Sequence, residues 1–492
     1  MKKSKFLKTD EPEELLVSEE NLSELLEKNI KDYGMSVIED RMIPSVRDGL
    51  KPAQRRLLKA MYDLKAWNSA PTVKSARVTG DCMGKYHPHS EAYGALANLV
   101  NQSYSLVHGQ GNWGSLDDEP AAPRYTECKF SKLGQRCFES YSVADEVPNF
   151  SGEYMEPIDI PMDFPSFFVN GGKGIGVAIR VETPNHNLEE VVNALKVVLK
   201  KGDKTKITDI LKVFHGPDSV YGGKLLSTEE DLKQVYSTGS GKLTYECNYT
   251  ITPQGKNYIL NVTGYCPEFK PSTFQNAMIK LIDEKLVIYA NDASTKDNAC
   301  NFEVLFTGED TFEKKIHKHL ICYQNIQYYA LDRRKSKTPE LRDVDTVLLK
   351  KNLIEYMQIW LDWRREIEGK ILGVKKREIE DKIFHSMCRV KAAENLDVIK
   401  KALEADDTNK YIVEHLAFFK NHPRANEGAE YISDLKIGSL KKVDISKVNK
   451  EIQGYQKELE QIEDDRNNID RVISKKLDSL KDFFKPRMLK VG

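Results

Sequence analysis

The sequence predicts a multidomain α+β protein, and three observations support that class. First, 492 residues correspond to about three or four domains of roughly 100–200 residues each. Second, residues 211–345 contain short alternating runs, at 242–251 and 257–263, that are rich in β-branched and aromatic side chains. These runs predict an antiparallel sheet flanked by helices. Third, two long proline-free segments near the C-terminus repeat apolar residues about every 3.5 positions, which is typical of coiled-coil helices.

The composition excludes several classes of protein. Lys plus Arg number 74 and Asp plus Glu number 75, so the net charge of -1 neither indicates nor excludes a nucleic-acid partner. No run approaches the roughly 18 apolar residues of a membrane span, and the N-terminus lacks the apolar core of a secretory signal. The eight cysteines include no CxxC pair. That spacing excludes a zinc ribbon, gives no disulfide framework and predicts a cytoplasmic protein.

The first elements of the chain differ sharply in charge. Residues 10–27 carry eight carboxylates and no cation, which predicts either a weakly amphipathic arm or a frayed end. Over residues 41–91, ten Lys or Arg face four acids, a local charge of +6. Within this stretch, the run 51–62 predicts a helix with Pro52 in its first turn and cations outside its apolar face. Those cations, which suit a solvated helix or a phosphate-bearing partner, are Arg55, Arg56 and Lys59.

The two C-terminal helical patterns are each accounted for if the two helices pair with one another. The first repeat covers 353–374, with Arg364 replacing one apolar residue, and the second covers 452–473, with Arg466 as its interruption. We expect an antiparallel coiled coil closed by the globular segment between the two helices. As a single helix, residues 350–388 would span about 58 Å. That length favours a mobile arm or an interface over a packed core element.

Four segments contain the residues that could carry chemistry, at 41–56, 75–89, 109–115 and 121–126. Together they supply cations, two closely spaced imidazoles, glycine turns and an adjacent Arg-Tyr pair. The sequence shows no Ser/His/Asp set and no HExxH metal spacing. The run 109–114 fits the pattern GxGxxG, but an acidic turn follows it instead of a helix, which argues against a dinucleotide-binding fold.

Tyr125 is the strongest candidate nucleophile because Arg124 precedes it in a basic region. A free phenol has a pKa of about 10, so it needs nearby positive charge to attack at neutral pH. Arginine also stabilises the charge that develops in phosphoryl transfer. From chemistry alone the alternative stays open: Tyr125 could be a buried tyrosine with a satisfied hydroxyl, and His87 and His89 could be structural.

These four segments, in this order and spacing, resemble the breakage-reunion subunit of type IIA DNA topoisomerases. That family includes the A subunit of gyrase, the C subunit of topoisomerase IV and the medium subunit of large-phage topoisomerases. Further matching segments lie at 169–177, 183–187, 236–242, 363–366 and 434–440. The resemblance covers about residues 30–480.

The resemblance implies an architecture. The expected parts are a winged-helix DNA-cleavage domain, a tower domain with an antiparallel sheet, and a long antiparallel coiled coil with a C-terminal gate. The implied boundaries are an acidic arm at 1–29, the winged-helix breakage-reunion domain at 30–160, the tower at 161–345, the coiled coil and dimerisation gate at 346–482, and a tail at 483–492.

The resemblance also implies a role for individual residues. Tyr125 matches the tyrosine that attacks a DNA phosphodiester and becomes linked to the 5′ end. Arg124, Arg41 and His89 match groups that stabilise the transition state or position the phosphate. Ile175 matches the isoleucine that wedges between base steps. The residues expected on the DNA-gate surface are Lys51, Arg55, Arg56, Arg77, Lys85 and His87.

The implied activity is ATP-dependent relaxation and decatenation of duplex DNA through a transient double-strand break. No metal-binding acidic cluster or nucleotide motif is legible in this chain, so Mg²⁺ and ATP are expected on a partner protein that carries the ATPase and metal-binding modules. The implied assembly is a homodimer, closed at the DNA gate and the C-gate, within an A2B2-type heterotetramer and away from membranes. The alternatives are a catalytically silent DNA-binding scaffold of the same fold and, more weakly, a tyrosine recombinase.

The sequence departs from the family in three places. Ser90 replaces the glycine usual after the second histidine, and the segment from there to the GQGNWG motif is several residues shorter than in the bacterial subunits. Quinolone sensitivity therefore does not carry over. The chain ends at Gly492 without room for the β-pinwheel of gyrase, so DNA wrapping is not expected. These features favour a phage or mobile-element enzyme working in a bacterial cytoplasm, including that of an infected host.

Overall fold

The computed structural model describes residues 22–89, 92–176, 179–295, 298–338, 344–440 and 443–491. It is an α+β structure, as predicted. Most of the acidic segment expected at 10–27, and Ser90, lie outside the described residues. No helix in the described part of the chain is long and apolar enough to cross a membrane.

The N-terminal module (residues 38–169) combines short helices with a small sheet. Its strands are β1 (Val73–Lys74), β2 (Val107–Gln110) and β3 (Glu127–Phe130), which form an antiparallel sheet in the order β1-β3-β2, and the hairpin β4 (Glu146–Pro148) with β5 (Met155–Pro157). The helices up to its end are α1 (Leu22–Val37), which continues into π-helical residues Ile38–Met42, α2 (Pro52–Asp63), α3 (Ser75–Lys85), α4 (Tyr93–Val100), α5 (Lys132–Cys137) and α6 (Ser166–Val169). Helix α2 begins at the predicted proline and buries its predicted apolar face against α3 and α4.

The sheet module (residues 172–349) contains a six-stranded and a four-stranded sheet, and the predicted antiparallel pairing is confirmed. Its strands are β6 (Gly172–Ile175), β7 (Arg180–Thr183), β8 (Lys224–Leu225), β9 (Ser240–Glu246), β10 (Asn248–Gln254), β11 (Asn257–Gly264), β12 (Val287–Asp292), β13 (Phe302–Thr307), β14 (Ile321–Gln327) and the hairpin β15 (Ala330–Lys335) with β16 (Val344–Leu349). Its helices are α7 (Leu188–Lys201), α8 (Ile207–Ile210), α9 (Glu229–Thr238) and α10 (Pro271–Asp283).

One predicted strand is two strands. The run 242–251 breaks at Cys247, before which β9 pairs with β14 and after which β10 pairs with β11. The six-stranded order is β17-β8-β9-β14-β7-β6, where β17 is Lys490–Val491. The four-stranded order is β10-β11-β13-β12. Strand β17 (Lys490–Val491) pairs with β8 in parallel, so the tail of the chain returns to the edge of the larger sheet.

The helical arm (residues 353–478) contains the predicted antiparallel helices. Its helices are α11 (Leu353–Glu394), α12 (Leu396–Ala402), α13 (Thr408–His415), α14 (Ala425–Ser433), α15 (Ile437–Leu440), α16 (Ile445–Asn467) and α17 (Ile469–Asp478). Helix α11 has 42 residues and is about 63 Å long. Ion pairs Arg365–Asp470 and Lys376–Glu463 cross between the long helices in antiparallel order. Helices α12 to α15 form a lobe with a separate apolar core.

The second long helix is interrupted, which the repeat pattern did not predict. At Asn468 the backbone leaves the helical region, with φ -122 and ψ 48, and the side-chain amide donates to the Asp464 carbonyl. Asparagine commonly satisfies a helix C-terminus in this way. The second helix is therefore α16 followed by α17.

Arg364, the predicted break in the first apolar repeat, is an anchor. Its side chain is 1% exposed and its guanidinium donates to the carbonyls of Pro161 and Met162 at 3.1 and 3.0 Å. The same group pairs with Glu368, which is equally buried and also accepts an ion pair from Lys476. An arginine can occupy an apolar position here because every charge in the contact has a partner.

Replacing Arg364 with alanine tests this anchor. The change removes one of the two cations that pair with the buried Glu368 and leaves two carbonyls without their donor, so we expect the free energy of unfolding to fall by about 3 kcal/mol. The matched control is Arg365→Ala, because the side chain of Arg365 is 35% exposed in its ion pairs and its loss should cost under about 1 kcal/mol. Urea unfolding followed by tryptophan fluorescence gives both values, and equal losses would contradict the anchor.

Candidate functional site

Tyr125 lies on the loop between β2 and β3, and the backbone of that loop is held at several points. The first two backbone N–H groups of α3 donate to the carbonyls of Thr126 and Pro123 at 3.0 and 3.1 Å. The Tyr93 hydroxyl donates to the Ala121 carbonyl at 2.6 Å. The loop therefore presents its tyrosine from a fixed backbone.

The Tyr125 side chain itself is free. It is 65% exposed, and none of the described residues hydrogen bonds to its hydroxyl. The guanidinium carbon of Arg124 lies 4.6 Å from the centre of the Tyr125 ring, a cation–π contact. The alternative of a buried tyrosine with a satisfied hydroxyl is wrong, because this phenol is exposed beside a cation.

The glycines before Tyr125 make a tight turn. A Cβ on Gly109 would lie 2.4 Å from Nε1 of Trp113, and Gly111 has a φ of +104, a conformation that favours glycine. No helix follows these glycines before β3. The prediction that this GxGxxG match does not form a dinucleotide-binding turn is confirmed.

The tyrosine loop also contacts the sheet module, through a residue that the sequence did not single out. The carboxylate of Asp117 accepts hydrogen bonds from the backbone N–H and the hydroxyl of Ser272 at 2.7 and 2.9 Å. Ser272 lies in the first turn of α10, where unpaired N–H groups favour an anion. Because 155 residues separate the pair, no local pattern could have indicated this contact.

A second cluster joins four of the predicted site residues to a carboxylate. Arg41 lies 3.5 Å from His89 Nε2, and the rings of His87 and His89 are 5.2 Å apart. Arg56 lies 3.5 Å from His87 Nδ1 and is held by Glu156 at 2.7 and 2.9 Å. Glu156 was not predicted, since it follows the four motifs and only the β4–β5 hairpin brings it back to them.

The chemistry of His87 follows from its partners. Arginine can only donate, so His87 Nδ1 accepts from Arg56 and the proton of the neutral ring lies on Nε2. Burial, which has the largest effect, and the charges of Arg56, His89 and Arg41 together lower the pKa of His87 to about 4. His87 is therefore a neutral imidazole near pH 7, with an N–H on the side away from Arg56.

Helix α2 does not present the free cations that were predicted. Arg55 is 2% exposed and pairs with Asp48, at 2.6 and 2.9 Å, so its prediction as an exposed DNA contact is wrong. Arg56 is largely buried in its pair with Glu156. Lys59 is also buried and pairs with Asp63 at 2.7 Å. Spacing placed these cations away from the apolar face, but Arg55 and Arg56 meet acids from outside α2, and Lys59 meets Asp63 at the end of its own helix.

The remaining predicted cations differ in their surroundings. Arg77 on α3 is exposed and makes no ion pair with the described residues. Lys85 pairs with Asp81 at 2.9 Å. Lys51 donates to the Lys173 carbonyl at 2.5 Å, and burial lowers its pKa. Of these three cationic side chains, Arg77 is the most available to an anion.

Ile175 ends strand β6 and is 81% exposed, the most exposed large apolar side chain among the described residues. The hairpin that carries Ile175 packs closely against Met42. A Cβ on Gly174 would lie 2.4 Å from the Met42 carbonyl, so only glycine allows this approach, and Lys51 binds the strand one residue earlier. Met42 follows Arg41 directly. The same short segment therefore contacts both the hairpin of Ile175 and the arginine–histidine cluster.

Within the described ranges, no group of three or more His, Cys, Asp or Glu side chains is arranged to hold a metal ion.

His87 should remain uncharged well below the ordinary range of histidine. Its pKa of about 4 in the folded chain lies below the usual unfolded value of about 6.5. The stability that this difference contributes is present above pH ~6.5 and is lost as the pH falls towards 4. NMR titration of the imidazole, assigned with His87→Asn, should give a midpoint near 4, and Arg56→Gln should raise it. A wild-type midpoint near 6.5 would contradict the neutral-imidazole assignment.

The comparisons with known proteins agree on one family. The family model for the A subunit of DNA gyrase/topoisomerase IV matches residues 41–478. The DNA gyrase A subunit of Thermotoga maritima is 30% identical over 471 residues, covering 92% of this chain and 56% of that protein. The corresponding protein of Chlamydia muridarum is 31% identical over 471 residues, covering 92% and 54%.

The A subunit of DNA topoisomerase 4 from Neisseria gonorrhoeae is 28% identical over 464 residues, covering 89% of this chain and 59% of that protein. The chain thus spans a little over half the length of these relatives. Since the family model covers most of the sequence, the chain belongs to the family formed by the A subunits of DNA gyrase and topoisomerase IV.

Proposed function

We propose that this chain is the DNA-cleaving and religating subunit of an ATP-dependent type IIA DNA topoisomerase. One observation carries the proposal: an exposed phenol, Tyr125, stands beside the Arg124 guanidinium on a backbone held by α3. The order of α2, β1, α3, α4, β2 and β3 suits a winged helix, with Tyr125 on the connection between its last two strands. Membership of the family supports the same activity.

The proposed reaction exchanges one phosphoester for another. The Tyr125 oxygen attacks a backbone phosphorus, the new bond links the tyrosine to the 5′ phosphate, and the bond to the 3′ oxygen breaks. The phenol gives up its proton and the 3′ oxygen gains one, so the reverse attack by the 3′ hydroxyl reseals the strand. Arg124 and the Arg41–His89 pair stabilise the extra negative charge of the transition state.

Duplex DNA is the proposed substrate, and Ile175 is its proposed wedge. An apolar side chain between base steps unstacks them and bends the duplex, and Ile175 projects from a hairpin that Lys51 and Met42 support. Arg77, exposed on α3, and the Arg41–His89 pair supply positive charge for phosphates. Two copies of the chain would cut opposite strands, after which a second duplex passes through the break.

The proposed assembly is an A2B2-type heterotetramer in the bacterial cytoplasm. The chain dimerises at the DNA gate and through the lobe of the helical arm, and the partner protein contributes Mg²⁺ and ATP hydrolysis. We propose that the partner covers helix α1, because one face of that helix carries four apolar side chains that are each 50–67% exposed. They are Leu22, Leu26, Ile30 and Tyr33.

Replacing Tyr125 with phenylalanine tests the nucleophile. The change removes only the attacking oxygen, so covalent protein–DNA complex should fall below detection while the DNA dissociation constant changes by less than about twofold. The measurement is denaturant trapping with the co-expressed partner, followed by identification of the DNA end that carries protein.

Tyr154→Phe is the matched control, since Tyr154 is 42% exposed and Lys85 lies 5.7 Å from its ring. It should cleave like the unmodified chain. Persistent cleavage by Tyr125→Phe would overturn the nucleophile. A 3′ link would favour a recombinase mechanism, and DNA binding without any covalent complex in the unmodified assembly would favour a silent scaffold.

Replacing Ile175 with alanine tests the wedge. Because it deletes apolar contact and no charge, DNA bending measured by fluorescence transfer should decrease, while affinity at low salt changes by less than about threefold. Ile288→Ala on β12, where the side chain is 47% exposed, should leave bending unchanged. An unaltered bend in Ile175→Ala would remove the wedge from the proposal.

A further inference from the structure

Three cysteine thiols meet in the sheet module, although the sequence separates them widely. The sulfur of Cys247 lies 3.5 Å from that of Cys266, and Cys266 is hydrogen bonded to Cys322. Cys247 follows β9, Cys266 follows β11 and Cys322 lies on β14. The backbone N–H of Cys247 donates to the Leu320 carbonyl at 3.0 Å, so the neighbouring strands hold the thiols together.

The cluster has an inner and an outer member. Cys247 and Cys266 are 2% and 4% exposed, whereas Cys322 is half-buried and lines an open depression beside Lys270 and Lys318. The hydrogen bond from Cys266 lowers the pKa of the Cys322 thiol. An accessible thiol with a lowered pKa is the member of such a cluster that reacts first.

We propose that these three thiols form an oxidation site at which a hydroperoxide converts two of them into an intramolecular disulfide that contains Cys266. The Cys322 thiolate attacks the peroxide oxygen, so an S–O bond forms, the O–O bond breaks, and an alcohol or water leaves. Cys266 then attacks the oxidised sulfur, an S–S bond forms, and water leaves with the oxygen. Two thiols are oxidised and one peroxide is reduced.

Cys266 is the necessary member because it contacts both others. Cys247 can compete for the bond by thiol–disulfide exchange at Cys266. Cys266 also lies two residues before Glu268, whose carboxylate pairs with Lys173 in the hairpin that carries Ile175. A disulfide at Cys266 would link the connection after β11 covalently to the six-stranded sheet. The proposed oxidation does not depend on DNA cleavage.

The test uses the full reduced chain and hydrogen peroxide. After brief oxidation, thiols are alkylated under denaturing conditions and counted by intact mass. The eight alkylated cysteines of the reduced chain should fall to six, and a reductant should restore eight. Peptide mapping should find a disulfide between Cys266 and either Cys322 or Cys247 within one chain.

Two substitutions and a control make the outcome decisive. Cys266→Ser should form no disulfide, because the oxidised Cys322 sulfur loses the thiol that attacks it. Cys322→Ser should slow disulfide formation by about tenfold or more, because the accessible thiol is lost. Cys388→Ser, at a buried cysteine of α11 that packs into the separate core of the lobe, should oxidise like the unmodified chain. An unchanged thiol count, a disulfide without Cys266, a bond between two chains, or full-rate oxidation of Cys322→Ser would each overturn the proposal.

Discussion

The buried ion pair between Asp48 and Arg55 is the contact on which the candidate site depends. The carboxylate of Asp48 accepts from Arg55, from the backbone N–H of Leu50 and from that of Ile160, at 2.6 to 3.0 Å. Arg55 also lies 3.4 Å from Asp159. A buried pair gains little net stability, because desolvation offsets attraction. Its effect here is to join the turn before α2 to that helix and to the segment after the β4–β5 hairpin.

The candidate site combines two physically different halves. Tyr125 and Arg124 are exposed side chains on a fixed loop, so they can meet a large substrate without moving the backbone. Arg41 and His89 belong instead to a chain of contacts that continues inward to Glu156. The inner charges neutralise one another there, so a phosphate would meet a preorganised edge and little reorganisation would be needed when charge develops.

Patterns local in the chain predicted much of this structure. The apolar face of α2, the antiparallel strands, the length of α11 and the rejection of a dinucleotide-binding turn all follow from periodicity or turn chemistry. The burial of Arg55, the Glu156 cluster and the Asp117–Ser272 contact depend on residues brought together over long separations, which spacing cannot indicate. Periodicity also treats a charge at a non-apolar position as exposed, which is the error made for Arg55. The domain boundaries and the roles of the site residues stay predictions.

The segment 266–272 connects several of these features. It contains one thiol of the proposed oxidation site, the carboxylate that pairs with the Ile175 hairpin, and the serine that binds Asp117 on the tyrosine loop. The contacts to the Ile175 hairpin and to the Tyr125 loop both involve exposed groups. An exposed ion pair contributes up to about 1 kcal/mol and a hydrogen bond to a charged group about 1.5–3 kcal/mol. Contacts of that size favour one position of the Ile175 hairpin and of the Tyr125 loop without holding either of them rigidly. A DNA gate of the proposed kind, which must open and reclose, would require contacts within this range, since a stronger attachment would hold it in one state.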